Sequence, residues 1–131
     1  MERQDRTLRA LVVDDDEEDR HRVSGILASQ GFAVQEARNG REALDRIRKN
    51  HYEMIVLDIL MPYLDGFEVM KQLQTQRPEV LERTVVTSRL DMRDLNAFFP
   101  ACRALPKPVS VENLSEIARN IRESGGCTDS K

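Results

Sequence analysis

The sequence predicts an α/β fold built on a parallel sheet, and two features indicate it. Short apolar runs rich in Val, Ile and Leu alternate along the chain with longer segments of helical period. That alternation is typical of βαβ units, in which a helix carries the chain back to start a parallel strand. The run at 54–57 contains no polar residue, as expected for a central strand that helices cover on both faces.

Five short runs are predicted as strands: 8–13, 32–37, 54–57, 84–87 and 103–105. Helical segments separate or follow them, each with apolar residues three or four apart on one face. Gly31 ends the first helix, the second starts after Asn39-Gly40, and the third ends before Pro78. The fourth helix spans 91–99 and the fifth 111–124. The predicted buried helix residues are Val23, Ile26, Leu27, Ala43, Leu44, Ile47, Phe67, Met70, Leu73, Leu95, Phe98, Phe99, Leu114, Ile117, Ala118 and Ile121.

Length, charge and composition limit what the chain can be. The 131 residues suffice for one domain, and we expect its core at about 7–124, with 125–131 as a disordered tail. No apolar run has membrane-spanning length and no secretory signal is present, so a cytoplasmic location is expected. A net charge of -3 and a pI near 5.5 argue against direct binding of nucleic acid. Cys102 and Cys127 are interpreted as free thiols.

Reactive side chains lie at the carboxyl ends of four of the predicted strands. Ligands of an open parallel sheet bind outside the carboxyl ends of its strands, so these groups are expected to converge at one edge. They are Asp14, Asp15, Asp16, Asp58, Thr87, Ser88 and Lys107.

The acidic stretch that begins at Asp14 has two interpretations. It can be a solvated surface that caps and starts a helix, where negative charge is favourable. Asp58 at the same edge favours a metal site instead, because clustered carboxylates repel each other unless a cation lies between them. Ligands that are all oxygen indicate Mg²⁺ or a similar hard ion.

Asp58 also has two interpretations. Taken alone, it can be a strand-ending residue that caps its loop. Beside a metal and opposite Lys107 it is interpreted as a nucleophile, because a carboxylate can attack phosphorus and form an acyl phosphate. A proline directly after Lys107 favours a cis peptide bond between Lys107 and Pro108 that aims the ammonium inward. Thr87 taken alone is more commonly a β-branched residue that finishes a strand, so its value as evidence depends on the other residues at this edge.

Four segments together resemble the receiver domain of bacterial two-component response regulators. They are residues 11–16 (LVVDDD), 55–66 (IVLDILMPYLDG), 85–88 (VVTS) and 105–108 (LPKP). The resemblance extends from about residue 7 to residue 124. It implies a flavodoxin-like, doubly wound sheet of five parallel strands in the order 2-1-3-4-5, with five helices in three layers.

The resemblance also implies a phosphorylation site and a metal site. Asp58 would be the phosphoacceptor, and Asp14 and Asp15 would form the acidic pair. Mg²⁺ or Mn²⁺ would be held by Asp15, Asp58 and the main-chain carbonyl of Leu60, and Asp14 would contact it through water.

Three further residues would bind the phosphoryl group and act in the switch, namely Thr87, Ser88 and Lys107. The implied donor is a phosphohistidine on a histidine kinase or on a phosphotransfer protein. The implied output is a changed binding surface for a downstream protein, and the last two helices are a candidate homodimer face. Such a domain promotes its own phosphorylation and slow dephosphorylation and is not otherwise an enzyme.

The sequence departs from the family on the output side. Ala104, three residues before Lys107, stands where the family usually has an aromatic switch residue. The segment between Thr87 and Lys107 is a residue or two short, and Pro106 removes a backbone donor from the fifth strand. These departures bear on signal output and leave the phosphorylation site whole.

Three other functions are alternatives to a phosphorylatable module, and each would need particular features of the sequence. A constitutive interaction module of receiver form has Ala104 and the altered fourth helix as its support. A small aspartyl-phosphate phosphatase would need a second acid at position 60, where the chain has Leu60. A flavin-binding protein would need a phosphate-cradling loop after the first strand, where residues 14–19 would repel a phosphate.

Leu60 and Arg89 lead to a prediction about the lifetime of the phosphorylated protein. An apolar side chain two residues after Asp58 and a bulky one two residues after Thr87 should limit the access of water to an acyl phosphate. We therefore expect the phosphorylated state to last for minutes or longer, measured as loss of labelled phosphate. Dephosphorylation within seconds, with no phosphatase present, would contradict this expectation.

Overall fold

The computed structural model describes residues 7–61, 66–89, 93 and 102–125. These residues form a five-stranded parallel sheet in the order β2-β1-β3-β4-β5. The strands are β1 (Leu8–Val13), β2 (Phe32–Ala37), β3 (Met54–Asp58), β4 (Thr84–Ser88) and β5 (Arg103–Pro106). The fold is therefore flavodoxin-like, which confirms the predicted fold class and strand order.

Helices cover both faces of this sheet and make the predicted three layers. The α-helices of the described residues are α1 (Glu17–Ser29), α2 (Gly40–Lys49), α3 (Gly66–Gln76) and α4 (Val111–Gly125). Helices α1 and α4 pack on one face, and α2 and α3 pack on the other. Within the described ranges, no helix combines the length and the hydropathy that crossing a bilayer requires.

Alternation along the central strands divides the core into two halves. Leu11, Ile55 and Leu57 face α2 and α3, whereas their neighbours Val12 and Val56 face α1 and α4. All five residues of β3 are buried. The apolar run at 54–57 is therefore the middle strand of the sheet, as its lack of polar residues predicted.

Short polar residues begin and end the helices as their chemistry dictates. Asp16 caps the N-terminus of α1 and Asn39 that of α2, each accepting a hydrogen bond from an amide three residues on. Gly31 follows α1 with a φ of 94°, a conformation that favours glycine. The helix stops predicted at Gly31 and before Pro78 are confirmed.

The boundaries differ from the predictions by single residues in five elements. Strands β3, β4 and β5 each continue one residue further, α2 begins one residue earlier at Gly40, and α4 continues to Gly125, which was predicted as the first residue of the tail. In α3, Val69 is buried together with the predicted Met70 and Leu73, whereas Phe67, which was also predicted as buried, is only partly buried. A 3₁₀ helix, Pro78–Arg83, was not predicted.

Three further predictions concern residues at the limits of the described ranges. The helix predicted at 91–99 lies outside the described residues except for Arg93, and so do 126–131 with Cys127. Cys102 is a free thiol whose Sγ donates a hydrogen bond to the carbonyl of Leu81 at 3.3 Å. Burial raises the pKa of this thiol to about 11, so it is protonated at neutral pH.

Gly66 leads to a prediction about stability. A Cβ atom at this position would lie 2.5 Å from the Cα of Ile59 and 2.6 Å from the carbonyl oxygen of Asp58. Because both neighbours are backbone atoms, we expect Gly66→Ala to lower the free energy of unfolding by about 1–3 kcal/mol in denaturant titration. Gly25→Ala is the matched control.

Nothing lies within 4 Å of the corresponding position at Gly25, in the middle of α1. Alanine there should raise the free energy of unfolding by about 0.5–1 kcal/mol, because glycine weakens a helix interior. Equal stability of the two variants would show that the close approach of α3 to β3 is not a constraint.

Candidate functional site

The carboxyl ends of β1 and β3 lie side by side where the order of the strands reverses. Chain connections leave β1 and β3 in opposite directions across the sheet, which opens a crevice at that point. Asp14 directly follows β1 and Asp58 ends β3, and both are buried, at 3% and 4% exposure. The sheet therefore delivers two buried carboxylates to one crevice.

Main-chain and side-chain hydrogen bonds hold Asp14 in place. Its amide donates to the carbonyl of Ala37 at 3.1 Å, which ties the end of β1 to the end of β2. One carboxylate oxygen, Oδ1, accepts from the amide of Asp16 at 3.0 Å. The other oxygen, Oδ2, is left to face the crevice.

Arg20 braces the same turn from α1. Its Nη1 donates to the main-chain carbonyl of Asp14 at 3.1 Å, and its Nε donates to Glu36 on β2 at 2.8 Å. The residue is 7% exposed, so the ion pair with Glu36 is the partner that a buried guanidinium requires. Arg20 thus joins α1, β1 and β2 at the entrance to the site.

Lys107 brings the one ammonium group that contacts these carboxylates in the described residues. Its Nζ lies 2.9 Å from Asp14 Oδ2, 3.2 Å from Asp58 Oδ2 and 3.3 Å from Asp19 Oδ2, and its side chain is 5% exposed. The Lys107–Pro108 peptide bond is cis. Burial alone would lower the pKa of Lys107, but hydrogen bonds and charges from Asp14 and Asp58 outweigh it and hold the pKa above its ordinary value.

Asp58 has the opposite electrostatic environment. Burial raises the pKa of its carboxyl group from 3.8 to about 7, and the neighbouring charge of Asp14 acts in the same direction. Lys107 lowers this pKa without cancelling the other two effects. In the absence of a metal ion, Asp58 is therefore half protonated close to neutral pH.

The acidic side chains at this edge fit a divalent cation. One carboxylate oxygen each from Asp14, Asp15 and Asp58 lies within 4.8 Å of the others. Asp15 is exposed whereas the other two are buried, so the group is open to solvent on one side. Such a set of hard oxygen ligands suits a hard cation that keeps some of its water.

The other predicted site residues lie at the same edge. Thr87 and Ser88 end β4 and are buried, and Thr87 is the register partner of Asp58. The carbonyl of Thr87 accepts from the amide of Ile59 at 3.0 Å, which joins the two strand ends. Leu60, two residues after Asp58, has 49% of its surface exposed.

Two residues of the site were missed by the sequence analysis. Asp19 was treated as part of an acidic helix start, yet it contacts Lys107 directly. Arg20 was not considered, although it lies three residues before Val23 on the buried face of α1. A charged residue at a position of apolar period was the available signal for Arg20. For Asp19 the sequence carried no comparable signal.

The comparison with known families decides what this site belongs to. The family model described as "Response regulator receiver domain" matches residues 10–119 of the chain. The chain belongs to this family. Receiver domains of this kind are parts of two-component systems.

Similar proteins agree with this assignment. "Response regulator MprA" of Mycolicibacterium vanbaalenii is 39% identical over 109 residues, which are 82% of this chain and 47% of that protein. The chain thus spans about half the length of the curated relatives it matches. A solved Francisella response regulator receiver domain is 28% identical with a TM-score of 0.80, covering 91% of this chain and 99% of that one. The receiver domain of DrrB from Thermotoga maritima, in a BeF3-activated structure, is 25% identical with a TM-score of 0.76, covering 90% and 99%.

The raised pKa of Asp58 predicts how stability depends on pH without metal. Between about pH 4 and pH 7 the folded receiver binds a proton at Asp58 that the unfolded chain has released, so its stability falls as the pH rises. Asp58→Asn has no such proton. Its melting temperature, measured in chelator, should therefore exceed that of the wild type by more at about pH 8 than at about pH 5.

Asp45→Asn is the control, because Asp45 is 63% exposed on α2 and its ion pair is with Lys49 of the same helix. Its difference from the wild type should stay nearly constant over the same range. A constant difference for Asp58→Asn as well would show that the buried carboxyl group does not titrate as described.

Proposed function

We propose that this receiver domain is switched by transfer of a phosphoryl group to Asp58. The observation that carries the proposal is the buried contact of one ammonium, Lys107 Nζ, with both Asp58 and Asp14. A structural domain gains little from burying two carboxylates and a lysine, because the desolvation of such charges offsets their attraction. A site that accepts an anionic phosphoryl group requires that arrangement.

The chemistry proposed for Asp58 is an in-line attack on phosphorus. An oxygen of its carboxylate forms a bond to the phosphorus of a phosphohistidine, the P–N bond breaks, and the imidazole leaves with the electron pair. Lys107 would donate to a phosphoryl oxygen, and Thr87 at the end of β4 would supply a hydroxyl. Positioning and charge stabilisation are the main contributions a protein makes to this reaction.

A divalent cation, Mg²⁺ or Mn²⁺, belongs to this proposal. Asp15 and Asp58 would hold it directly with the main-chain carbonyl of Leu60, and Asp14 would contact it through water. The cation would offset the charge of the transferred group, and by favouring the ionised form of Asp58 it would also restore the nucleophile. The similar receiver domain of DrrB has a BeF3-activated structure, which supports activation by a small anionic group in domains of this fold.

The proposed partners follow from the family. The donor would be a histidine kinase or a phosphotransfer protein, and a downstream protein would bind the altered surface, with no direct role for nucleic acid or a membrane. A cytoplasmic location and a homodimer through the last helices are parts of the same proposal. Beyond its own phosphorylation and slow dephosphorylation, we assign the domain no enzymatic activity.

Ala104 favours a second candidate function. It lies on β5 opposite Val86, packed against the core half beneath α2 and α3. A methyl group cannot alternate between buried and exposed positions as an aromatic ring does. A receiver-like module that binds its partner regardless of phosphorylation would have no need of that motion.

Intact mass separates the two functions. After incubation with acetyl phosphate and Mg²⁺, the wild type should gain the mass of one phosphoryl group. Asp58→Ala and a chelator-treated sample should gain nothing, because one lacks the acceptor and the other the cation. Asp45→Ala, which removes an exposed carboxylate from α2, should gain the group as the wild type does.

If no sample gains mass, including one offered a phosphohistidine donor, the phosphorylatable function is wrong. The constitutive module would then be the function to test, by comparing partner capture by the wild type and by Asp58→Ala. Gain of mass by Asp58→Ala would place the acceptor on another residue.

A further inference from the structure

Asp19 contacts two cationic side chains of the proposed phosphorylation site, the buried Lys107 and the exposed Arg89. Its Oδ2 lies 3.3 Å from Lys107 Nζ and 3.7 Å from Arg89 Nη2. The roles that the family implies for this edge fall on other residues, and none falls on Asp19. Its two contacts are therefore a feature that the proposed function leaves unexplained.

The position of Asp19 is fixed by the start of α1. Its amide donates to the N-capping carboxylate of Asp16 at 2.8 Å, which sets the first turn of the helix. Its side chain is 30% exposed, whereas that of Asp14, the other α1-side partner of Lys107, is 4% exposed. Asp19 is thus anchored through its backbone while its carboxylate lies at the border between site and solvent.

The ammonium of Lys107 has as many acceptors as it has donors. It carries three N–H groups, and three carboxylates lie at 2.9, 3.2 and 3.3 Å from Nζ. A phosphoryl group that approaches before transfer finds Asp58 still in contact, because Asp58 is the attacking group. One of the other two carboxylates must release a donor.

Asp19 is the partner that releases a donor most easily. Asp14 is buried and would be left unpaired in a place without water, which is costly. Asp19 can exchange the ammonium for solvent at its exposed side. Its other cation, Arg89, has a side chain that is 72% exposed and makes a longer contact, so it too can leave.

We propose that Asp19 is a positioning residue that holds Lys107 and Arg89 on the α1 side of the site and competes with the incoming phosphoryl group for both cations. This proposal rests on phosphoryl transfer to Asp58. Removing the charge of Asp19 frees one donor of Lys107 and the guanidinium of Arg89 for the phosphoryl oxygens. It also removes one negative charge that repels them.

Asp19→Asn therefore accelerates phosphorylation by a small anionic donor. With acetyl phosphate, an oxygen of Asp58 forms the bond to phosphorus, the bond to the bridging oxygen breaks, and acetate leaves with the electron pair. The second-order rate constant, measured by intact mass at fixed Mg²⁺, should rise about three- to tenfold over the wild type. The increase should shrink in high salt, because the competition is electrostatic.

Glu18→Gln is the matched control. It removes the same charge from the same turn of α1 but leaves both contacts of Asp19 in place. It should change the rate constant by less than about twofold, since exposed charges are well screened. In an Arg89→Ala background, Asp19→Asn should give a smaller increase, and the difference reports the share carried by Arg89.

A rate constant for Asp19→Asn that equals or falls below that of the wild type, at an unchanged melting temperature, would overturn the proposal. A decrease would show instead that Asp19 orients Lys107 for the reaction. An equal increase in Glu18→Gln would reduce the effect to net charge and overturn it as well. If the wild type itself takes up no phosphate, the proposed function fails first, and this inference fails with it.

Discussion

The burial of Lys107 among carboxylates is the constraint on which the rest of the structure depends. The lysine follows β5 at one side of the sheet, whereas Asp14 follows β1, three strand spacings or roughly 14 Å away. No lysine side chain spans that distance, so the residues beyond the strand ends must turn inward over the edge. The amide of Lys107 donates to the carbonyl of Ser88 at 3.0 Å, and this bond begins that turn.

The same contacts leave the site short of positive charge. In the described residues, one ammonium with 5% of its side chain exposed contacts three carboxylates. It does not cancel the effects of burial and of the Asp14 charge, which together raise the pKa of Asp58. Evolution often retains such local instability where function requires it. Well-packed core halves on both faces of the sheet and the braced Arg20 offset it. A divalent cation would supply the positive charge that the protein alone does not provide, and it would also offset the negative charge of a transferred phosphoryl group.

The sequence sufficed for the sheet and for the residues at its edge, since both follow from short-range patterns. Five apolar runs fixed the strands to within one residue, and position after a strand identified Asp14, Asp58 and Lys107. The 3₁₀ helix at Pro78–Arg83 was missed because proline was interpreted only as a helix stop. Which carboxylates contact the ammonium of Lys107 depends on the directions of side chains from separate strands and from α1. The periodicity of the sequence does not encode these directions, so only the structure could show the contact of Asp19 with Lys107.

A phosphoryl group at Asp58 would add charge at a point that several backbone contacts hold in place. Thr87 is in register with Asp58, its carbonyl is bonded to Ile59, and Gly66 packs against the backbone of the same turn. When the centre itself cannot rearrange, the side chains that respond to a new charge are the weakly held ones around it. Arg89, which contacts the Lys107 partner Asp19, has a side chain that is 72% exposed. Position 104 carries alanine and no aromatic ring. In the proposed function, a response that begins with Arg89 and Asp19, beside the first turn of α1, would need no aromatic switch residue.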